Sequence, residues 1–362
     1  MDVKAIVEEK VIPLLTELIQ NQCVNDGTPD SGNETESALS LKSFFDSYGI
    51  KSEIIAKNPR RGNFLVRIPG TDETASSLMF MGHMDVVPAN PALWRYDPFA
   101  AEIHNGYLWG RGAIDMLNMT AVQAVAVAEL VSRNGPLRGD LVFLALADEE
   151  ADGRLGARYL IENHWNKVKA DYMVTELGGF FIHNDPVCGI GITVGEKGVA
   201  RLELTVKGTP GHGSMPYRSD NAVTKAAEAA LRIASFSSPP VFTPVYRDMA
   251  SRMARSRFER AALLSSWRID RAIESIFDRS RGTAKFLHAA SRLTLSPNIL
   301  TAGGKVNVIA DRGTIEVDAR LLPSDTIESV IDTIRSILGD HAEEFSIEVM
   351  EFFPSNSSSQ DT

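Results

Sequence analysis

The chain has 362 residues, 44% hydrophobic and 23% charged, which suits one large or two ordinary folded domains and excludes wholesale disorder. With 37 Lys and Arg against 47 Asp and Glu, the net charge is −10, which argues against a nucleic-acid or membrane partner. No apolar run reaches the roughly 20 residues of a membrane helix. Met1-Asp2-Val3-Lys4 opens no secretory leader, and the two cysteines, Cys23 and Cys188, form neither a disulfide framework nor a thiolate zinc site, so the expectation is a cytoplasmic protein with both thiols buried.

In chain order, Val3, Ile6, Val7, Val11, Leu14, Leu15, Leu18 and Ile19 recur at helical steps, with Pro13 set to kink or divide the helix. A polar loop at 25–34 leads to a second helix over 36–48, stopped by Gly49. Strands at 62–68 and 77–82, a long helix at 119–132, a strand at 140–147, a helix at 155–164 and a strand at 172–175 follow. Continuous apolar strands alternating with helices predict an α/β domain over 1–192, its mixed sheet mostly parallel with helices on both faces.

The pattern changes near Thr193. Ala200, Leu202, Leu204 and Val206 alternate with Val199, Arg201, Glu203, Thr205 and Lys207, as in a sheet with one buried face. A helix at 221–234 and a Pro-bearing loop precede an Arg-rich helical stretch reaching Arg292, whose interspersed Asp248, Glu259, Asp270, Glu274 and Asp278 predict a solvated surface. Strands near 298–308 and 314–322, a helix at 325–338 and a strand at 345–350 complete a smaller α+β domain over 193–354, with a polar tail at 355–362.

Chemistry gathers at the strand ends. His83-Met84-Asp85 follows the second buried strand, Asp115 closes the next loop, Asp148-Glu149-Glu150 follows the 140–147 strand and Glu176 the 172–175 strand. Ligands bind outside the carboxyl ends of such strands, so these groups would share one rim. An imidazole and several carboxylates there would repel one another unless a cation sat among them. Nitrogen and oxygen ligands without thiolate suit zinc, and also cobalt or manganese. Asp85 is placed to accept the other ring N–H of His83. Of the adjacent Glu149 and Glu150, one can bind metal while the other serves as base for an activated water.

Gly82-His83-Met84-Asp85-Val86-Val87-Pro88, Trp94 with Asp97-Pro98-Phe99, Gly106 to Met116, Asp148-Glu149-Glu150, Glu176 and Gly208 to Pro216 occur in an order covering almost the whole chain. In this the chain resembles the co-catalytic zinc hydrolases that include aminoacylase, carboxypeptidase G, acetylornithine deacetylase and succinyl-diaminopimelate desuccinylase. The resemblance implies two zinc ions: one held by His83, Asp115 and Glu176, the other by bridging Asp115 and by Glu150. It implies Glu149 as general base, Asp85 as the carboxylate orienting His83, and a non-proline cis peptide at Asp115-Met116. Residues 193–354 would form a lid that also makes a homodimer, with His212 reaching the opposite subunit to stabilise the tetrahedral intermediate. Asn307 and Arg320 would grip a substrate carboxylate. The implied reaction is hydrolysis of an amide next to a carboxylate, in an N-acyl amino acid or a small peptide. Leu117-Asn118 stand where the family commonly has Lys-Gly, at no ligand position. The family's chain then returns to the catalytic domain with a further metal-binding histidine. This sequence ends at Thr362, about where that return begins, so the competing expectation is a truncated or degenerate, inactive dimerising remnant.

Overall fold

The computed structural model describes residues 2–135, 137–176, 178–184 and 187–359, with backbone alone at 179–184 and 187–188; the side chain of Cys188 lies outside the described residues. The chain divides into two compact units, 1–176 and 177–362. Among the described residues no helix is long and apolar enough to cross a membrane.

The first unit is built on five strands, β1 (Glu53–Ala56), β2 (Gly62–Ile68), β3 (Leu78–His83), β4 (Leu141–Leu146) and β5 (Tyr172–Val174), in the order β1-β2-β4-β3-β5. The β1-β2 and β2-β4 pairs are antiparallel, while β4-β3 and β3-β5 are parallel. The sheet is therefore mixed, and its parallel half sends the carboxyl ends of β3, β4 and β5 to one edge. Every residue of β4 is buried. Phe143 and Ala145 pack with Leu18, Leu41, Phe45 and Phe64 on one face, and Val142 and Leu144 pack with Met79, Leu160 and Val168 on the other. Burial on both faces is why β4 reads as an unbroken apolar run.

The amino-terminal helix is divided, as its proline foretells. An α-helical turn, Val3–Ile6, passes through a π-helical turn at Val7–Val11 into α1 (Ile12–Gln20). Pro13 has no N–H to return to the preceding turn, and the N–H of Ile12 reaches back five residues to Val7. Helices α2 (Glu34–Asp46), α3 (Leu117–Asn134) and α4 (Ala157–Val168) complete this unit's main elements.

The second unit holds four antiparallel strands, β6 (Gly198–Lys207), β7 (Thr294–Ala302), β8 (Arg312–Leu321) and β9 (Phe345–Phe353), in the order β7-β8-β6-β9. Ala200, Leu202, Leu204 and Val206 of β6 are buried as their alternation predicts, together with Ile315, Val317, Ala319 and Leu321 of β8. They pack with α5 (Ala222–Ser235) through Ala226 and Ile233, and with Val330 and Ile334 of the unit's last α-helix, Ile327–Leu338. Between α5 and β7 lie four short helices, α6 (Pro244–Met253), α7 (Arg257–Leu263), α8 (Ile269–Phe277) and α9 (Arg281–Ala290). They enclose an apolar core of their own around Tyr246, Leu263, Ile269, Ile273, Ile276 and Leu287. The polar stretch that reads as a solvated surface is thus only the outside of a small helical bundle.

Candidate metal centre

His83 ends β3, and its side chain is 2% exposed. Its approach to α3 depends on the glycine before it, because a Cβ at Gly82 would lie 2.6 Å from Thr120 Oγ1. That hydroxyl donates to the carbonyl of His83 at 2.9 Å. The ring Nδ1 is 2.9 Å from the backbone carbonyl of Asp85 and 3.5 Å from the Asp85 carboxylate. A carbonyl can only accept, so in the neutral ring Nδ1 carries the hydrogen and Nε2 the lone pair.

Nε2 is buried and has no hydrogen-bond partner among the described residues. Asp115 Oδ1 lies 3.3 Å from it, and Glu149 Oε2 and Glu176 Oε2 each lie 3.7 Å away. Ligand atoms of His83, Asp115 and Glu176 all fall within 4.8 Å of one another, and the peptide bond after Asp115 is cis. A buried lone pair facing three carboxylates fits a divalent cation and suits zinc, whose sites accept nitrogen with oxygen. Glu150 is not one of this trio. Its carboxyl is pushed up by burial, eased by His83, and pushed up further by Asp115, Asp85 and Glu176.

The protonation of these groups shows how strongly the rim asks for positive charge. Burial alone would lower the His83 imidazole, but Asp85, Glu176 and Glu149 together outweigh it and push it up to about 11. Glu149 is pushed up to about 7, chiefly by burial, against the pull of His83 and with the push of Glu176, Asp85 and Glu150. Its carboxylate accepts no hydrogen bond from the described residues, which leaves it free to hold a proton.

Asp85 lies fully buried beneath the rim. One of its oxygens accepts the N–H of Glu149 at 3.1 Å, and the other accepts the N–H of Glu150 at 3.0 Å and Asn25 Nδ2 at 2.8 Å. These bonds and the one to His83 outweigh the burial penalty and hold its carboxyl below the usual range. Asp85 therefore fixes the turn that presents both glutamates as well as the imidazole. The turn begins at Asp148, whose φ is +66° and whose carboxylate accepts the N–H of Leu155 at 3.0 Å. Arg61 sits below, 3.0 Å from Asp148 and bonded through two nitrogens to Glu34, which also accepts the N–H of Asp148 at 3.1 Å. Sequence reasoning passes over Asn25, Glu34 and Arg61. Each is a single polar residue in a loop or at an element's start, and only a helix or strand that buries it would have marked it.

The other candidates belong to the second unit. His212 lies on a two-residue strand, Gly211–His212, paired with Val308–Ile309. It is exposed, and its Nδ1 is 2.8 Å from Ser214 Oγ and accepts the N–H of Ser214 at 3.2 Å. The N–H of Gly213 donates to the carbonyl of Asn307 at 2.8 Å, so the fold brings His212 and Asn307 together from segments nearly a hundred residues apart. Arg320 is held by its neighbour on β8, with Nε 2.7 Å and Nη2 3.1 Å from the two carboxylate oxygens of Asp318. Cys23 is buried, and burial pushes its thiol up to about 11, which makes it unreactive.

Residues 79–256 match the model of Peptidase family M20/M25/M40, and residues 194–346 match that of the Peptidase dimerisation domain. The chain is 30% identical over 293 residues to the N-fatty-acyl-amino acid synthase/hydrolase PM20D1 of Xenopus tropicalis, an alignment that takes in 78% of this chain and 56% of that protein. It is 29% identical over 331 residues to a probable succinyl-diaminopimelate desuccinylase of Staphylococcus aureus, covering 90% of this chain and 72% of that one. The chain thus spans little more than half the length of the amphibian protein. Its fold matches that of an M20 family metallo-carboxypeptidase from Sulfolobus solfataricus with a TM-score of 0.70 at 18% identity, over 97% of this chain and 80% of that one.

Proposed function

Because the chain belongs to the M20 family of metallopeptidases, we propose that it hydrolyses an amide bond next to a carboxylate, in an N-acyl amino acid or a small peptide. The observation that carries this reading is the buried, unpartnered Nε2 of His83 with carboxylate oxygens at 3.3–3.7 Å on its open side. Two relatives add support. The names of the amphibian and staphylococcal proteins both describe an acylated amino acid.

His83, Asp115 and Glu176 would hold one zinc ion, and Asp115 with Glu150 would contribute to holding a second. The cations, when bound, supply Lewis acidity to the scissile carbonyl and acidify a water molecule. The chain's own residues do the rest. Asp85 holds the His83 ring and the Glu149-Glu150 turn in place. Glu149 takes the proton of the attacking water on its carboxylate and returns it to the nitrogen of the leaving amine, so the C–N bond breaks as an N–H bond forms. The second unit would make a homodimer, and His212 would serve the opposite subunit by donating a hydrogen bond to the developing oxyanion. Asn307 would contact the substrate carboxylate, joined by Arg320 if it lets go of Asp318.

The test is metal content by elemental analysis, set beside hydrolysis of N-acetyl and N-lauroyl amino acids. The native chain should carry zinc and release the free amino acid. Glu149→Gln should keep the metal and lose about 10²–10⁴ in rate, while His83→Ala should lose the metal itself. A native chain that binds zinc but turns over no substrate would favour the inactive remnant, and a Glu149→Gln variant of unchanged rate would overturn the mechanism.

A further inference from the structure

None of the residues proposed for the hydrolysis lies in the helical bundle α6–α9. Residues 244–290 carry ten Lys and Arg against five Asp and Glu, a net charge of +5 in a chain whose net charge is −10, so the remaining residues hold −15. The whole-chain charge hides this segregation. The bundle has its own buried core, so these cations stand on a fixed scaffold. Arg252 and Arg279 pair with Asp248 and Glu259. Arg255, Arg257, Arg281 and Lys285 are exposed and have no carboxylate partner among the described residues.

The fold gathers these residues. Glu259 accepts the backbone N–H of Arg255 at 3.3 Å and pairs with Arg279, which ties the start of α7 to the α8–α9 junction. Arg281 opens α9 there, and Lys285 lies one turn along the same face. Bare rings stand among the cations. Phe258, at the start of α7, is 73% exposed, with the Arg257 guanidinium 5.0 Å from its ring centre, and Phe286 of α9 is 47% exposed. Asp278 is the exposed acid at this junction.

We propose that this face of the bundle docks on the surface of an anionic lipid bilayer. Lipid phosphates and carboxylates answer the unpaired guanidinium and ammonium groups, and the headgroup–acyl boundary takes the phenyl rings out of water. An acidic peptide would satisfy the cations but gives no reason to hold two phenyl rings in solvent. A nucleic acid would reward rings and arginines together, yet its phosphates run on past one small patch, and the rest of the chain, at −15, offers them no net positive footprint. A bilayer is met by one face alone.

The experiment is co-sedimentation of the full chain with vesicles of phosphatidylcholine, with and without about 30% phosphatidylserine, at low ionic strength and at about 0.5 M salt. Binding should need the anionic lipid and vanish in high salt. Each neutralised cation should lower the partition constant about fivefold, so Arg255→Gln, Arg257→Gln and Arg281→Gln together should lower it about a hundredfold. Phe258→Ser with Phe286→Ser should weaken binding while leaving its salt dependence unchanged, an arm that stands even if the triple variant misfolds. Equal binding to neutral vesicles, no binding to either, or full binding by folded variants would overturn the proposal. So would capture of single-stranded DNA or polyglutamate by a chain that ignores the vesicles.

Discussion

Two carboxylates of the first unit, Glu129 and Glu149, meet opposite fates. Glu129, on α3, is almost wholly covered, yet every bond its charge needs is supplied. Lys10 pairs with it, the Tyr48 hydroxyl donates at 2.8 Å, and Arg133 donates twice, at 2.8 and 2.6 Å. These partners, Lys10 first and then Arg133 and Tyr48, pull its carboxyl down to about 2. Glu149 is half exposed, receives no hydrogen bond on its carboxylate from the described residues, and is pushed up to about 7. Burial alone therefore does not decide whether a carboxylate is available for chemistry. Unmet demand does, because a carboxylate that its neighbours fail to stabilise is ready to take up a proton or a cation.

If that contrast is right, the rim should trade stability for chemistry and Glu129 should not. The largest effect is on rate, at Glu149. Glu149→Gln should cost about 10²–10⁴ in hydrolysis, yet the metal-free variant should resist denaturant slightly better than the native chain, by about 1 kcal/mol, because one of several mutually repelling charges is gone. Urea unfolding with chelator present measures this, and a less stable variant would break the contrast. The next effect lies at Arg61, whose side chain is 3% exposed between Glu34 and Asp148. Arg61→Met leaves two buried carboxylates without their cation and should cost about 3–5 kcal/mol of unfolding free energy. Because Asp148 starts the turn that carries Glu149, zinc affinity should fall with it. A variant that keeps native stability would show that Glu34 and Asp148 find other partners.

The rim was legible in the sequence because all of its groups but Asp115, which closes a loop, follow a recognisable strand. His83, Glu149 and Glu176 come within a few residues of the ends of β3, β4 and β5, and parallel pairing does the rest. Its support was not legible. Glu34, Arg61 and Asp148 are separated by 27 and 87 residues, and no local pattern announces a pairing that only the folded chain makes. Strand β1 escaped notice because it is four residues long and only Ile55 is buried. In the second unit the alternation in β6 shows its buried face directly, whereas Ile269, Ile273 and Ile276 keep helical spacing beneath a surface crowded with charge. There the charges drew attention and the small core beneath them did not.

The smallest effect belongs to Glu129, and its sign is fixed by linkage. The folded carboxyl titrates near 2 and the unfolded one near 4.5. Above pH 4.5 both states are ionised and the full stabilisation is present. As pH falls toward 2 the unfolded state takes up the proton first, so the unfolded state binds more protons in that window and stability declines with it. Lys10 and Arg133 are partly open to solvent, with side chains 34% and 49% exposed, and water weakens their hold. The contribution should therefore be about 1–2 kcal/mol, short of the full shift. Glu129→Gln should lose that much at pH 7 and nothing at pH 2, so the native and variant stability curves should converge between those limits. Curves that stay parallel through this window would mean that Glu129 holds α3 to Lys10 and Tyr48 by packing rather than by charge.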